Sequence, residues 1–290
     1  MKHRVQADLL LLSCAVIWGF SFLFQKSAMS FIGPLLFIAA RGIVAALVLS
    51  PLVLLEHRRA APPVAGRLLV ISALTGGAFL VAGFLQQTGL KTASVINTGF
   101  LTALYVVATP FISFALAGRA IAPVIWIAVL LSFAGTWLLG GGTLQGFATG
   151  DLLVALSALF WALHFVLTGL GAPLGRPVLF TAFHFLLAGT VALAGALFWE
   201  PVTATGLRAA AIDILYVGVV SGALTYTLFT MALRATSATE AAIIISTDTV
   251  FATLGAWLFL QERLTIFSAA GGLAILTAIL IVQLASVRKP

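Results

Sequence analysis

The sequence predicts an all-α, polytopic membrane protein. It reads as about ten transmembrane helices in two inverted five-helix repeats, residues 1–145 and 146–290. Three observations predict this. The chain is 62% hydrophobic and 8% charged, with a mean hydropathy of +1.18. A soluble domain carries roughly 25% charged residues, so this chain cannot cover a water-facing surface and lipid must be its solvent. Its apolar runs come near the ~20 residues needed to cross a hydrocarbon core. Finally, residues recur at an offset of 143: Asp8 and Asp151, Trp18 and Trp161, Pro34 and Pro177, Phe37 and Phe180, Leu90 and Leu233, Lys91 and Arg234, Ser94 and Ser237.

The first copy places spans at 8–28, 34–55, 67–88, 93–116 and 121–140. The second places them at 150–170, 177–199, 209–231, 238–260 and 265–286. Ten spans use most of the chain and leave no room for a soluble catalytic domain. Lys2 and Arg4 ahead of an apolar run imitate a signal peptide. The stretch Leu9 to Phe24 has its counterpart at Leu152 to Leu167, however, so it belongs to the repeat and cleavage is not expected. Pro34, Pro123 and Pro177 fall near span starts, where a missing N–H costs least. Pro110 falls inside the fourth span and predicts a kink there.

Basic residues set the orientation. One side holds Lys2, Arg4, Arg58, Arg59, Arg67, Arg119, Arg176, Arg234, Arg288 and Lys289; the other holds Lys26, Lys91, Arg208 and Arg263. Ten against four puts both termini in the cytoplasm. The net charge of +7 is scattered singly or in pairs between apolar runs, which excludes a nucleic-acid surface. Cys14 is the single cysteine and lies in an apolar run, so it reads as packing filler. Gly218 and Gly222 form a GxxxG, read as close packing within one chain, and a monomer among membrane lipids is expected.

An odd number of spans per copy turns the second copy over in the bilayer, an arrangement used for alternating access. The polar residues inside the spans are the candidates for chemistry. Trp18, Ser21, Phe22 and Gln25 share one face of the first span; Trp161, His164, Phe165 and Thr168 repeat it on the sixth. Lipid does not reward a polar stripe, so both stripes should face protein or water, as cavity walls or as packing glue. Asp248 in the ninth span matches Tyr105 in the fourth. An acid in the membrane serves as a proton relay or an ammonium partner, or sits uncharged and hydrogen-bonded. Tyr105 and Tyr226 suit a wet cavity, with Gln86, Gln87, Thr227 and Thr230 as further polar candidates. Arg41, matched to His184, reads as a structural residue whose stem reaches the interface, with carboxylate binding as the other role. Glu240, at the start of the ninth span, reads as a helix cap. No His or Cys cluster suggests a metal, and no phosphate-binding loop or hydrolase motif suggests a cofactor or an enzyme.

Several runs resemble one family. Val16-Ile17-Trp18-Gly19-Phe20-Ser21-Phe22 resembles the W-G-x-[SN]-[FW] signature of the drug/metabolite transporter superfamily, EamA type. Ala232-Leu233-Arg234-Ala235-Thr236-Ser237-Ala238 is similar to its A-L-[KR]-x-[TS]-[SP]-A segment, echoed by Gly89-Leu90-Lys91-Thr92-Ala93-Ser94. Trp257 to Thr265 is similar to its W-L-x-L-G-E-R-L-T run. Two departures stand out. Asp248-Thr249 occupies the place of the family's frequent Glu-Pro or Thr-Pro, so proton coupling is not carried over from the resemblance; and Arg119 replaces the Glu of the first-half G-E-R echo. The resemblance implies two inverted five-helix repeats around a central cavity, and export of metabolites. It looks closest to the YddG-like exporters of aromatic and neutral amino acids.

The expected function is therefore a secondary transporter of the bacterial cytoplasmic membrane that exports amino acids or related metabolites. The rival is a multidrug exporter of lipophilic cations by proton antiport, with Asp248 as the cation's partner. The topology is testable in a Cys14-free background. Cysteines at Lys2 and Lys289 should resist an impermeant thiol reagent in intact cells and react once the membrane is opened; labelling of either from outside contradicts the orientation.

Overall fold

The computed structural model describes residues 2–58, 63–64, 66–118, 122–139, 149–261 and 266–287. Arg59, Arg119, Arg263, Arg288 and Lys289, counted in the basic bias, lie outside these residues, as does Glu262 to Thr265 of the last family-like run. The described chain is helical, with α1 (Lys2–Ala28), α2 (Pro34–Arg58), α3 (Gly66–Leu90), α4 (Val95–Thr102), α5 (Tyr105–Ala117), α6 (Pro123–Leu139), α7 (Thr149–Gly171) and α8 (Pro177–Trp199). Then follow α9 (Ala204–Ala209), α10 (Ala211–Leu215), a π-helical stretch Tyr216–Leu224, α11 (Thr225–Ala232), α12 (Ala238–Ile245), α13 (Asp248–Leu260) and α14 (Ile266–Val287). Among the described residues eight helical runs are long and apolar enough to cross a membrane, and two shorter apolar helices lie at Pro123–Gly135 and Ala269–Ala278.

Two predicted spans are not continuous. The fourth breaks at Ala103 and Leu104 into α4 and α5, and the ninth breaks at Ser246 and Thr247 into α12 and α13. The kink expected at Pro110 is thus displaced: Pro110 sits inside α5, and the interruption lies one to two turns earlier. At both breaks the hydrogen bonds tighten locally, as in Leu104 N–H to Leu101 O and Thr249 N–H to Ser246 O. The breaks, the helices either side, the serine caps Ser94 and Ser237, and the left-handed residues Gly118 and Gln261 all sit 143 apart. Gln261 adopts φ 57° where its counterpart Gly118 adopts 61° with no Cβ to strain it.

Matched helices pack on one another. α2 lies against α8, α6 against α14, and α1 against α13 as α7 lies against α5. Small residues allow the closest approach: a Cβ on Gly42 would meet Gly189 Cα at 3.0 Å. Gly218 and Gly222 likewise face α2, against Val44 and Ala45, within the chain.

The α2–α8 pair is also clasped at both ends. Pro34 and Pro177 each begin a helix whose first N–H groups lack partners within that helix. Glu200, just past α8, takes the N–H groups of Leu35 and Leu36 at 2.9 and 2.8 Å. Glu56, near the end of α2, takes those of Val178 and Leu179 at 3.0 Å each. Each helix ends in the carboxylate that caps the other, where the helix dipole also favours a negative charge. Loss of either clasp should be measurable. Glu56→Ala and Glu200→Ala should each destabilise the detergent-solubilised protein by about 1–2 kcal/mol. Unchanged thermal midpoints in both variants would contradict the clasp.

Candidate functional site

The two helix breaks, α1, α7 and the π-helical stretch meet at one small cavity of about 50 Å³. From α1 come Trp18, Ser21, Phe22 and Gln25, and from α7 come Trp161 and Phe165. Tyr105 opens α5, Asp248 opens α13, and Tyr226 stands on α11. Nine of the ten sequence candidates therefore share this cavity. His164 does not line it. Its ring lies behind the wall against Trp161, Tyr226 and His184, at centroid distances of 5.8, 5.4 and 5.5 Å. Thr168 also turns away, donating to His164 O at 2.8 Å in its own helix. The sixth-span stripe is thus only partly a cavity face.

Five more residues complete the lining: Arg41, Gln86, Thr102, Ser221 and Ile245. Arg41 corrects the expectation of a stem reaching the interface, because it is only 3% exposed and its guanidinium faces inward. Thr102 and Ile245 end α4 and α12, a matched pair one turn before Tyr105 and Asp248. The repeat could have flagged them, but neither stands out by chemistry. Ser221 lies in the π-helical stretch that forms this part of the wall, where Thr225 Oγ1 donates to Val220 O five residues back. No residue pattern announces that.

The first-half side of the cavity is a hydrogen-bonded polar strip. Gln87 Nε2 donates to Gln25 Oε1, Gln25 Nε2 to Ser21 Oγ at 3.0 Å, and Ser21 Oγ to Trp18 O at 2.7 Å. Gln86 Nε2 donates to Thr102 Oγ1 at 2.8 Å. The aromatic wall packs around it: the Trp18 and Tyr226 ring centroids are 4.7 Å apart, and Trp18 Nε1 donates to Ser221 O at 3.0 Å. Gly19 beside Trp18 gives α13 its seat, since a Cβ there would come 2.6 Å from Asp248 O.

Symmetry of fold is broken by chemistry. The positions matched to Gln25, Gln86 and Arg41 are Thr168, Phe229 and His184, and none of these lines the cavity. The cavity therefore leans toward the end of the bundle that holds the end of α1 and the start of α2. At the opposite end, Arg4 joins Glu240 at 2.8 Å and Asp8 at 3.1 Å, tying the start of α1 to α12. Glu240 also completes a capping box with Ser237, as its place at the helix start suggests.

Several buried polar atoms facing the cavity have no protein hydrogen-bond partner: Arg41 Nε, Tyr105 Oη, Trp161 Nε1, Ser221 Oγ and Asp248 Oδ1. Buried polar groups are normally bonded, so a cluster of orphans around one space marks where a polar molecule fits. No group of three His, Cys, Asp or Glu among the described residues is placed to hold a metal ion.

An apolar helical bundle with interrupted spans and a polar-lined cavity at their breaks defines a membrane transporter. Comparison with known proteins carries this to a family. The EamA-like transporter family profile matches twice, over residues 5–141 and 148–284, and the chain belongs to that family. An uncharacterized transporter of Archaeoglobus fulgidus is 28% identical over 284 residues, spanning 97% of this chain and 87% of its own. A solved crystal structure of 17% identity covers 96% of this chain and 98% of its own at a TM-score of 0.79, which shows a shared fold.

Proposed function

We propose that the protein exports amino acids or related small metabolites across a bacterial cytoplasmic membrane by alternating access. Residues 1–145 and 146–290 form the two inverted repeats, both termini lie in the cytoplasm, and the cavity between the repeats receives the substrate. The observation that carries this reading is the cavity itself: aromatic walls, a polar strip, and partnerless donors and acceptors at the breaks of matched helices. Under this orientation the cavity leans outward, and the Arg4–Glu240 and Arg4–Asp8 pairs hold the cytoplasmic end together. Substrate entry from the cytoplasm requires that tie to part as the repeats rock. Amino acids leave cells down their own gradient, so coupling to protons is not required.

Asp248 is the intended partner of the substrate ammonium group. It is 5% exposed, and its Oδ1 has no protein partner. Trp18, Trp161 and Phe165 offer flat apolar surfaces to the rest of the molecule. A lipophilic cation would also suit Asp248, but Arg41 in the same cavity opposes a net positive ligand.

The test is transport in liposomes with a panel of amino acids and lipophilic cations. Asp248→Asn keeps shape and hydrogen bonding but removes the negative charge. It should reduce amino-acid flux by about tenfold or more, from the loss of a charge-assisted hydrogen bond, with normal membrane insertion. Retained flux would return Asp248 to a packing role.

A further inference from the structure

We propose that Arg41 reads the carboxylate of a zwitterionic α-amino acid while Asp248 holds its ammonium group, which makes the cavity a filter against amines and lipophilic cations. This rests on the amino-acid export reading and specifies its selectivity.

Arg41 is buried two turns into α2 and cannot reach the interface. Among the described residues no carboxylate forms an ion pair with it, and its Nε has no protein partner. Its neighbours shape a socket. The guanidinium carbon lies 5.2 Å from the Phe79 ring centroid and 5.8 Å from that of Phe37, and Tyr226 lines the cavity beside it. Rings and a phenol hold a cation in place without neutralising it. An unneutralised guanidinium inside a membrane is costly, so a function that supplies the missing anion explains why it is there.

The same cavity carries Asp248, also without a full set of partners. A guanidinium and a carboxyl group in one cavity match a ligand that brings a carboxylate and an ammonium. A guanidinium recognises a carboxylate through two parallel hydrogen bonds, which an ammonium cannot reproduce. An amine lacking the carboxylate would satisfy Asp248 but face Arg41 directly. A carboxylic acid lacking the amine would meet the reverse problem.

Binding of L-phenylalanine and L-leucine is compared with that of their methyl esters and of the amines lacking the carboxylate, by calorimetry on purified protein, with flux measured alongside in liposomes. The wild type should prefer each amino acid over its ester and amine by about ten- to a hundredfold, the worth of a charged hydrogen-bonded contact. Arg41→Lys, which keeps the charge and loses the fork, and Arg41→Gln should both collapse that preference, chiefly by weakening the free amino acid. Equal binding of amino acid and amine by the wild type overturns the proposal without any variant. A preference that survives in Arg41→Lys also overturns it, while amino-acid export stands. A wild type that carries no amino acid removes the export reading and this inference together.

Discussion

Hydrocarbon offers no hydrogen bonds, and the rest of the structure depends on that constraint. Every polar group within the membrane must find its partner in the protein or face a cavity. The clasps between α2 and α8 are the plainest answer: two helix starts, each lacking partners, are met by two carboxylates from the opposite helix. Serine hydroxyls also answer between helices, as Ser72 on α3 does by donating to Phe180 O on α8 at 2.7 Å. Five of the groups left open, on Arg41, Tyr105, Trp161, Ser221 and Asp248, converge on one space, while His164 and His184 are left open behind its wall.

The broken helices make that space possible. Interrupted backbone is tolerated in a membrane when it is enclosed by protein or borders a cavity. Both interruptions fall at matched positions, so Tyr105 and Asp248 each start a half-helix in the middle of the bundle. The repeat supplies the framework twice over, while the side chains differ between copies. That difference, Gln25, Gln86 and Arg41 against Thr168, Phe229 and His184, gives the cavity its polar half and its lean.

Much of this was legible in the residues. Composition and the 143 offset are enough for an all-helical membrane protein, because lipid solvation leaves little else for such a chain to be. The stripe on α1 was legible because helical spacing puts Trp18, Ser21, Phe22 and Gln25 on one face, and all four reach the cavity. The helix breaks were not, since Ala103-Leu104 and Ser246-Thr247 carry no Gly or Pro, and Pro110 drew attention to the wrong turn. His164 was misleading for a related reason: a helical stripe is wider than the cavity, so its edge packs behind the wall. Stem length alone permits Arg41 to reach the interface; only its burial against Phe79, in the cavity it shares with Tyr226, shows otherwise. The clasps leave no mark in the repeat, because Glu56 and Glu200 are 144 apart, one residue off it, and lie at span ends where charges are ordinary.

The central claim is that a zwitterion completes the polar groups this cavity leaves open. An experimental structure of the protein with a transported amino acid tests it most directly. The account predicts the ligand's carboxylate on the Arg41 guanidinium, its ammonium on Asp248, and its side chain against Trp18 and Trp161. A ligand seated elsewhere in the bundle, or one lying in this cavity with Arg41 and Asp248 both untouched, would contradict it.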